Sequence, residues 1–337
     1  MRGRVRRANR GVFGKAVRGY AFGVRCTALR FFAVLGGVLV FVAALLIAAP
    51  GAHAQIDKRC YTNSAGTRCY YLHIPPGDSA GKPLMVYLHG CNDPIAHPNP
   101  TGFSLTRVAD EMGFVLAYPI QDQAANALYC WNWDKPGNQE RDRGEPSLIA
   151  GITTTLLDDL DLDRSRVYLG GYSAGGATTT NLGATYPDLY AAIAPMAGAP
   201  YRTQLGGQVV IDAMGPRARP MPTFFLQTLF DQVSNIVIGR TNLAQWLDAD
   251  NLADPGSAPL LPTGVELLMP GRGIPIPLTL EHYASPRGCE LAQFTTPLVA
   301  EHAFGAAILQ QDFGIDVQRN LMRFLLAHRM TAAHQAC

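Results

Sequence analysis

From residue 70 onward, short and nearly continuous apolar runs alternate with longer stretches whose apolar residues recur every three or four positions. The short runs, at 70–74, 84–88, 114–118, 166–170, 191–196, 223–227 and 291–295, predict strands. Continuous apolar character, rather than strict alternation, is what a strand covered on both faces requires. The longer stretches predict helices over 105–112, 147–159, 174–186, 241–250 and 315–328. Strands alternating with helices build a mostly parallel central sheet flanked by helices, an α/β architecture. Residues 253–286, dense in Pro and Gly, predict a long irregular segment. With no internal repeat and no separate linker, a single domain is expected.

The front of the chain reads differently. A basic region precedes an apolar run at 31–49, followed by Pro50-Gly51-Ala52-His53-Ala54-Gln55, whose Ala52-x-Ala54 carries the small residues that a signal peptidase needs. This predicts a leader over residues 1–54, cleaved after Ala54, and a secreted single domain over 55–337. An uncleaved anchor is the alternative, because 19 apolar residues just span a bilayer. Arg6-Arg7 forms a twin-arginine pair, but the following Ala8-Asn9-Arg10-Gly11 does not support that export signal.

Charge changes the picture once the leader is set aside. The whole chain carries +2, yet nine Arg and Lys and no Asp or Glu lie in residues 1–54, so the remainder holds 19 basic against 26 acidic residues. Nucleic-acid binding normally needs the opposite balance and is not expected. Without the leader no stable membrane association is expected either. At 337 residues with 48% hydrophobic and 16% charged composition, the chain can bury a full core, which excludes disorder, collagen and coiled coil.

Of seven cysteines, Cys26 leaves with the leader, and Cys60, Cys69, Cys91, Cys130, Cys289 and Cys337 remain. An even number in an exported chain predicts up to three disulfides, among fifteen possible connectivities. The expected pairs are Cys60 with Cys69 across the loop containing Asn63-Ser64-Ala65-Gly66, Cys91 with Cys130, and Cys289 with Cys337. No Cys or His spacing suits a metal, and no cofactor is expected.

The strongest chemical signal is Gly171-Tyr172-Ser173-Ala174-Gly175-Gly176, a G-x-S-x-G sequence between an expected strand and an expected helix. A serine on so sharp a turn needs small neighbours two residues away on each side, so that strand and helix can close up. It also needs a base held by a carboxylate. In the α/β-hydrolase order the acid and then the histidine follow the serine, which points to Asp231, just beyond the 223–227 strand, and His302, between the last strand and the last helix. His282 remains a second candidate base, and Asp248, Asp250 and Asp254 remain candidate acids, although Asp248 and Asp250 look like the solvated face and end of a helix. The oxyanion donors are expected from the Ala174 N–H and from the Cys91 N–H in the loop after the 84–88 strand. A Cys91–Cys130 bond would bring Cys130-Trp131-Asn132-Trp133 over the site, with Trp131 and Trp133, beside Tyr172, binding an apolar or aromatic ester; the alternative is that at least one tryptophan is simply core.

Together with these, Leu88-His89-Gly90-Cys91, Arg143-Gly144-Glu145-Pro146-Ser147-Leu148-Ile149-Ala150-Gly151 and Tyr186-Pro187-Asp188-Leu189-Tyr190 resemble the extracellular poly(3-hydroxybutyrate) depolymerase and feruloyl/acetylxylan esterase family over about residues 70 to 328. The resemblance implies an α/β-hydrolase fold and a secreted serine carboxylic-ester hydrolase working through an acyl-enzyme, with Ser173 as nucleophile, Asp231 as acid and His302 as base. It leaves polyester and small feruloyl or acetyl esters as alternative substrates. The chain departs from the family at Asp134, where an aromatic usually follows Trp-Asn-Trp, at Phe304, where Trp is common, and at 297–301. It ends just after the last expected helix, so a separate polymer-binding domain is not expected. A peptidase, or a non-catalytic secreted binding protein on the same fold, are the remaining readings.

Overall fold

The computed structural model describes residues 56–96, 105–269, 277–298, 301–302 and 317–331, all within one compact unit, 52–337. The leader, its cleavage site, Cys26 and Cys337 lie outside the described residues, and with them the expected Cys289–Cys337 bond.

Among the described residues ten strands form one sheet: β1 (Ile56–Asn63), β2 (Gly66–His73), β3 (Leu84–Leu88), β4 (Val115–Ile120), β5 (Val167–Tyr172), β6 (Ala192–Met196), β7 (Thr223–Leu226), β8 (Gly264–Leu268), β9 (Leu278–Ala284) and β10 (Glu290–Pro297). Their spatial order is β1-β2-β4-β3-β5-β6-β7-β10-β9-β8. The run from β4 to β10 is parallel throughout, and the antiparallel pairs lie at the two ends. This is the mostly parallel, helix-flanked sheet expected for an α/β-hydrolase.

Alternate residues of the central strands feed two cores. Leu84, Val86, Leu88, Val167, Leu169 and Ile193 face one side, where α2 (Gly144–Asp159), α3 (Ala174–Thr185), α4 (Gln208–Met214) and α5 (Ile236–Ala253) lie. Met85, Tyr87, Tyr168, Ala192 and Ala194 face the other, under α1 (Thr106–Met112) and α6 (Val317–Leu326). Apolar residues on both faces are the reason these strands read as unbroken apolar runs. No helix among the described residues is long and apolar enough to cross a membrane.

The sequence expectation needs correction in two places. Residues 253–286 are not irregular throughout, because they contain β8 and β9, which extend the sheet antiparallel from β10. The Pro and Gly at 270–277 dominate the local composition, and β8 is an edge strand whose Val265 and Leu267 are exposed, so burial does not pattern it. β1 also lacks an apolar signature. Its Asp57, Lys58 and Arg59 suit a solvated edge, and it forms by pairing along its length with β2.

Two disulfides join described residues. Cys60 and Cys69 stand directly opposite each other in the β1–β2 hairpin, whose two-residue turn is closed by the Ala65 N–H donating to Asn63 Oδ1 at 2.8 Å. Cys91 is joined to Cys130, 39 residues away.

Candidate active site

Ser173 occupies the single residue between β5 and α3 with φ 56° and ψ −119°, a left-handed conformation that costs a side-chain-bearing residue of order 1–3 kcal/mol. Its N–H donates to the Met196 carbonyl at 2.9 Å, tying the turn to β6. The flanking glycines are required by contact. A Cβ at Gly171 would lie 2.6 Å from Gly175 backbone, and one at Gly175 would lie 2.2 Å from the Leu88 carbonyl oxygen. The strand-turn-helix is therefore packed against the end of β3, and Ser173 is pushed out at the carboxyl end of the sheet.

Asp231 follows β7 and is buried. Its Oδ1 accepts the N–H groups of Val233 and Ser234 at 2.8 and 2.7 Å, while its Oδ2 accepts Gln227 Nε2 at 3.3 Å and His302 Nδ1 at 2.6 Å. His302 Nε2 lies 2.9 Å from Ser173 Oγ. With the ring proton on Nδ1 and donated to Asp231, Nε2 is free to accept the serine proton. The fold thus brings Ser173, His302 and Asp231, spread over 129 residues, into one hydrogen-bonded line.

The other candidates are placed elsewhere. His282 on β9 pairs through Nδ1 with Glu290 at 2.5 Å and faces Glu266 through Nε2 at 3.6 Å. Asp248 accepts the Gly207 N–H, and Asp254 pairs with Arg287 at the surface. Asp250 is not a solvated helix end. It is fully buried, accepts the Met221 N–H at 2.7 Å, and burial pushes its carboxyl up to about 8.

Ser173 opens into a cavity of about 520 Å³. Ala174, Cys91 and Trp133 border it, together with Ala177, Ala197, Pro200, Val233, Val237 and Ile238. Two expected ligand-contacting residues are absent from this lining. Trp131, 1% exposed, is part of the core and packs on His89 with ring centroids 5.4 Å apart. The segment is not a strand but runs into a turn closed by the Lys135 N–H donating to the Asn132 carbonyl at 3.2 Å, so the two tryptophans do not share a side and Trp133 borders the cavity. Tyr172 is also buried: its hydroxyl donates to the His302 carbonyl oxygen at 2.6 Å, and burial holds its ionisation far above the ordinary phenol range. It supports the histidine rather than the ligand.

The loop after β3 is fixed by His89, which is fully buried. The Gln121 N–H donates to His89 Nε2 at 2.9 Å, so the ring proton sits on Nδ1 and is donated to the Gly90 carbonyl at 2.7 Å. Sequence reasoning named His89 only as part of the Leu88-His89-Gly90-Cys91 motif, and did not single out Gln121 or Gln227, nor the apolar wall of α5. The apolar run Ile236-Val237-Ile238 at the start of α5 was the available signal for that wall.

Residues 68–240 match the family described as esterase PHB depolymerase, a little over half of the chain. The chain belongs to that family. This family member is 32% identical over 186 residues to poly(3-hydroxyalkanoate) depolymerase C of Paucimonas lemoignei, covering 55% of the chain and 44% of that protein. It is 32% identical over 139 residues to feruloyl esterase B of Thermothelomyces thermophilus, covering 41% and 46%. It spans about half the length of these curated relatives. Among solved structures, an acetyl xylan esterase from Aspergillus awamori superposes with a TM-score of 0.59 at 17% identity, over 80% of this chain and 98% of that one, which speaks to the fold.

Proposed function

We propose that the protein is a serine carboxylic-ester hydrolase acting on polyesters of the hydroxyalkanoate type. The observation that carries this is the hydrogen-bonded line from Asp231 through His302 to Ser173, opening onto a largely apolar cavity. Ser173 Oγ attacks the ester carbonyl as its proton passes to His302 Nε2, and the imidazolium formed is stabilised by the buried Asp231 carboxylate. The N–H groups of Ala174 and Cys91 hold the oxyanion. The proton on Nε2 then goes to the leaving alcohol. Water, deprotonated by the same nitrogen, releases the acid from the acyl-enzyme.

A chain-like substrate is supported by a second groove of about 540 Å³ that shares Val237 and Thr241 with the cavity and continues along α5 past Leu205 and Ala244. Leu205, Val233 and Val237, each more than two-thirds exposed, line the two hollows. A small ester would leave this apolar surface in water. The names of the curated relatives include both polyester depolymerases and feruloyl esterases.

Export is part of the same proposal. Cleavage after Ala54 releases one domain, 55–337, whose Cys60–Cys69 and Cys91–Cys130 bonds suit an oxidising compartment. The test is hydrolysis by purified 55–337 of short p-nitrophenyl esters, methyl ferulate and a poly(3-hydroxybutyrate) suspension, with Ser173→Ala as control. Clearing of the suspension, lost in Ser173→Ala, is expected. Activity confined to methyl ferulate or short esters would overturn the polyester assignment, and undiminished activity in folded Ser173→Ala would overturn the nucleophile.

A further inference from the structure

Glu145, at the start of α2, is a buried carboxylate that makes no direct contact with the Ser173, His302 and Asp231 line. Its two oxygens accept four donors. Oε1 takes Gln121 Nε2 at 2.6 Å, Asn132 Nδ2 at 2.8 Å and Arg68 Nη2 at 3.3 Å, and Oε2 takes the Asn132 backbone N–H at 2.8 Å. Two of these partners lead to the loop that carries Cys91, by separate routes. Gln121 gives its backbone N–H to His89 Nε2 at 2.9 Å and the second proton of its amide to the Cys130 carbonyl at 3.0 Å. Asn132 lies two residues beyond Cys130, and Cys130 is bonded to Cys91. The carboxylate therefore grips both anchors of the segment 89–91, the imidazole at one end and the disulfide at the other.

We infer that Glu145 is a positioning residue for the oxyanion-binding N–H of Cys91, acting through Gln121 and Asn132. An oxyanion donor is useful only if it is already aimed where charge develops, within about 0.5 Å of its productive place. Cys91 is exposed, and the turn is held from outside it, by the Asn92 N–H donating to the Leu128 carbonyl at 2.9 Å and by the Cys91–Cys130 bond, so its place depends on how firmly the 128–132 segment is fixed. The network supplies that rigidity. Its carboxylate and amide groups are paired, which is the condition under which a buried polar cluster stiffens its surroundings. Arg68, in ion-pair contact with Glu145, offsets the carboxylate charge that would otherwise oppose a nearby oxyanion.

This inference rests on the proposed esterase reaction, and the experiment separates the two. The variant is Glu145→Gln, which keeps the side-chain shape but replaces one acceptor oxygen by a donor facing other donors. Full-length chain and variant are compared for kcat and KM on a soluble p-nitrophenyl ester, for inhibition by phenylboronic acid, whose tetrahedral serine adduct places an oxygen in the oxyanion site, and for thermal unfolding. The expected result is a kcat lower by about 10- to 100-fold, a KM changed by less than about 3-fold, and boronate affinity falling in step with kcat. A folded variant with wild-type kcat and wild-type boronate affinity overturns the inference, as does a change confined to KM. If Glu145→Gln does not fold, Asn132→Ala leaves the carboxylate in place and removes one of its two bonds to the 130–133 segment. A lower kcat with weaker boronate binding is expected there too, and unchanged values overturn the inference. Failure of the parent chain to hydrolyse any ester overturns the reaction itself, and this inference with it.

Discussion

The hydroxyl of Tyr172 donates to the carbonyl oxygen of His302 at 2.6 Å, so the residue before the serine on β5 holds the backbone of the histidine 130 positions later. The same ring packs on the imidazole with centroids 5.2 Å apart. The tyrosine is thus one rigid spacer between the strand carrying Ser173 and the segment carrying His302. In Tyr172→Phe the ring packing survives and the hydrogen bond is lost, at a cost of about 1 kcal/mol. We predict a kcat/KM on soluble esters lower by about 5- to 10-fold with only a small change in melting temperature, and slower labelling of Ser173 by a fluorophosphonate. Labelling at the wild-type rate would show that the histidine is held by other contacts.

Ser173 has a backbone conformation that glycine adopts without strain, whereas alanine shares the serine's cost. Ser173→Gly and Ser173→Ala should therefore both be inactive, yet the glycine variant should unfold at the higher temperature. The relief of strain, about 1–3 kcal/mol, exceeds the extra chain entropy of glycine, about 0.5–1 kcal/mol. Gly175→Ala has no such relief, since its new methyl would meet the Leu88 and His89 carbonyl oxygens, both backbone atoms. Loss of about 2–4 kcal/mol, or failure to accumulate as folded protein, is expected by denaturant titration.

Asp250 gives stability a pH dependence. Burial raises its carboxyl to about 8, against about 4 in the unfolded chain. Between those values the folded state holds a proton that the unfolded state has released, so stability is fully present below about pH 4 and declines as pH rises toward 8. Asn at this position still accepts the Met221 N–H and has no proton to lose. The wild-type melting temperature should fall more between pH 5 and pH 9 than that of Asp250→Asn, by the equivalent of ~1 kcal/mol or more. Parallel melting curves across that range would rule out the coupling.

Val237 belongs to both hollows beside Ser173. A charge there should oppose an apolar chain crossing from one to the other while leaving the ester nearest Ser173 unaffected. Val237→Asp is predicted to lose about 10-fold or more in rate on hydroxybutyrate oligomers and to keep kcat on p-nitrophenyl acetate within about 2-fold, because burying an unpaired charge against apolar substrate costs well over 1 kcal/mol. Equal losses on both substrates would place the effect at the catalytic centre and remove the argument for a chain-binding groove.

The amino-acid sequence by itself determined what depends on local pattern and on the order of motifs. Runs such as 84–88 and 223–227 can be buried on both faces only as interior strands, and Gly171 and Gly175 around Ser173 are legible because a sharp turn tolerates nothing larger. The acid and base could be nominated from their places after β7 and β10, and the pairs Cys60–Cys69 and Cys91–Cys130 from their surroundings. Only the tertiary structure distinguishes His302 from His282, since both are histidines downstream of Asp231 and differ in what faces them: Ser173 and Asp231 in one case, Glu290 and Glu266 in the other. It also decided which of Trp131 and Trp133 meets the cavity, that Tyr172 turns to His302, and that β1 and β8 are strands at all. Each of these depends on a partner distant in sequence, and long-range contacts leave no periodic trace in the segments they join. The Glu145, Gln121 and Asn132 network has the same origin, three ordinary polar residues that the fold brings together beside one disulfide.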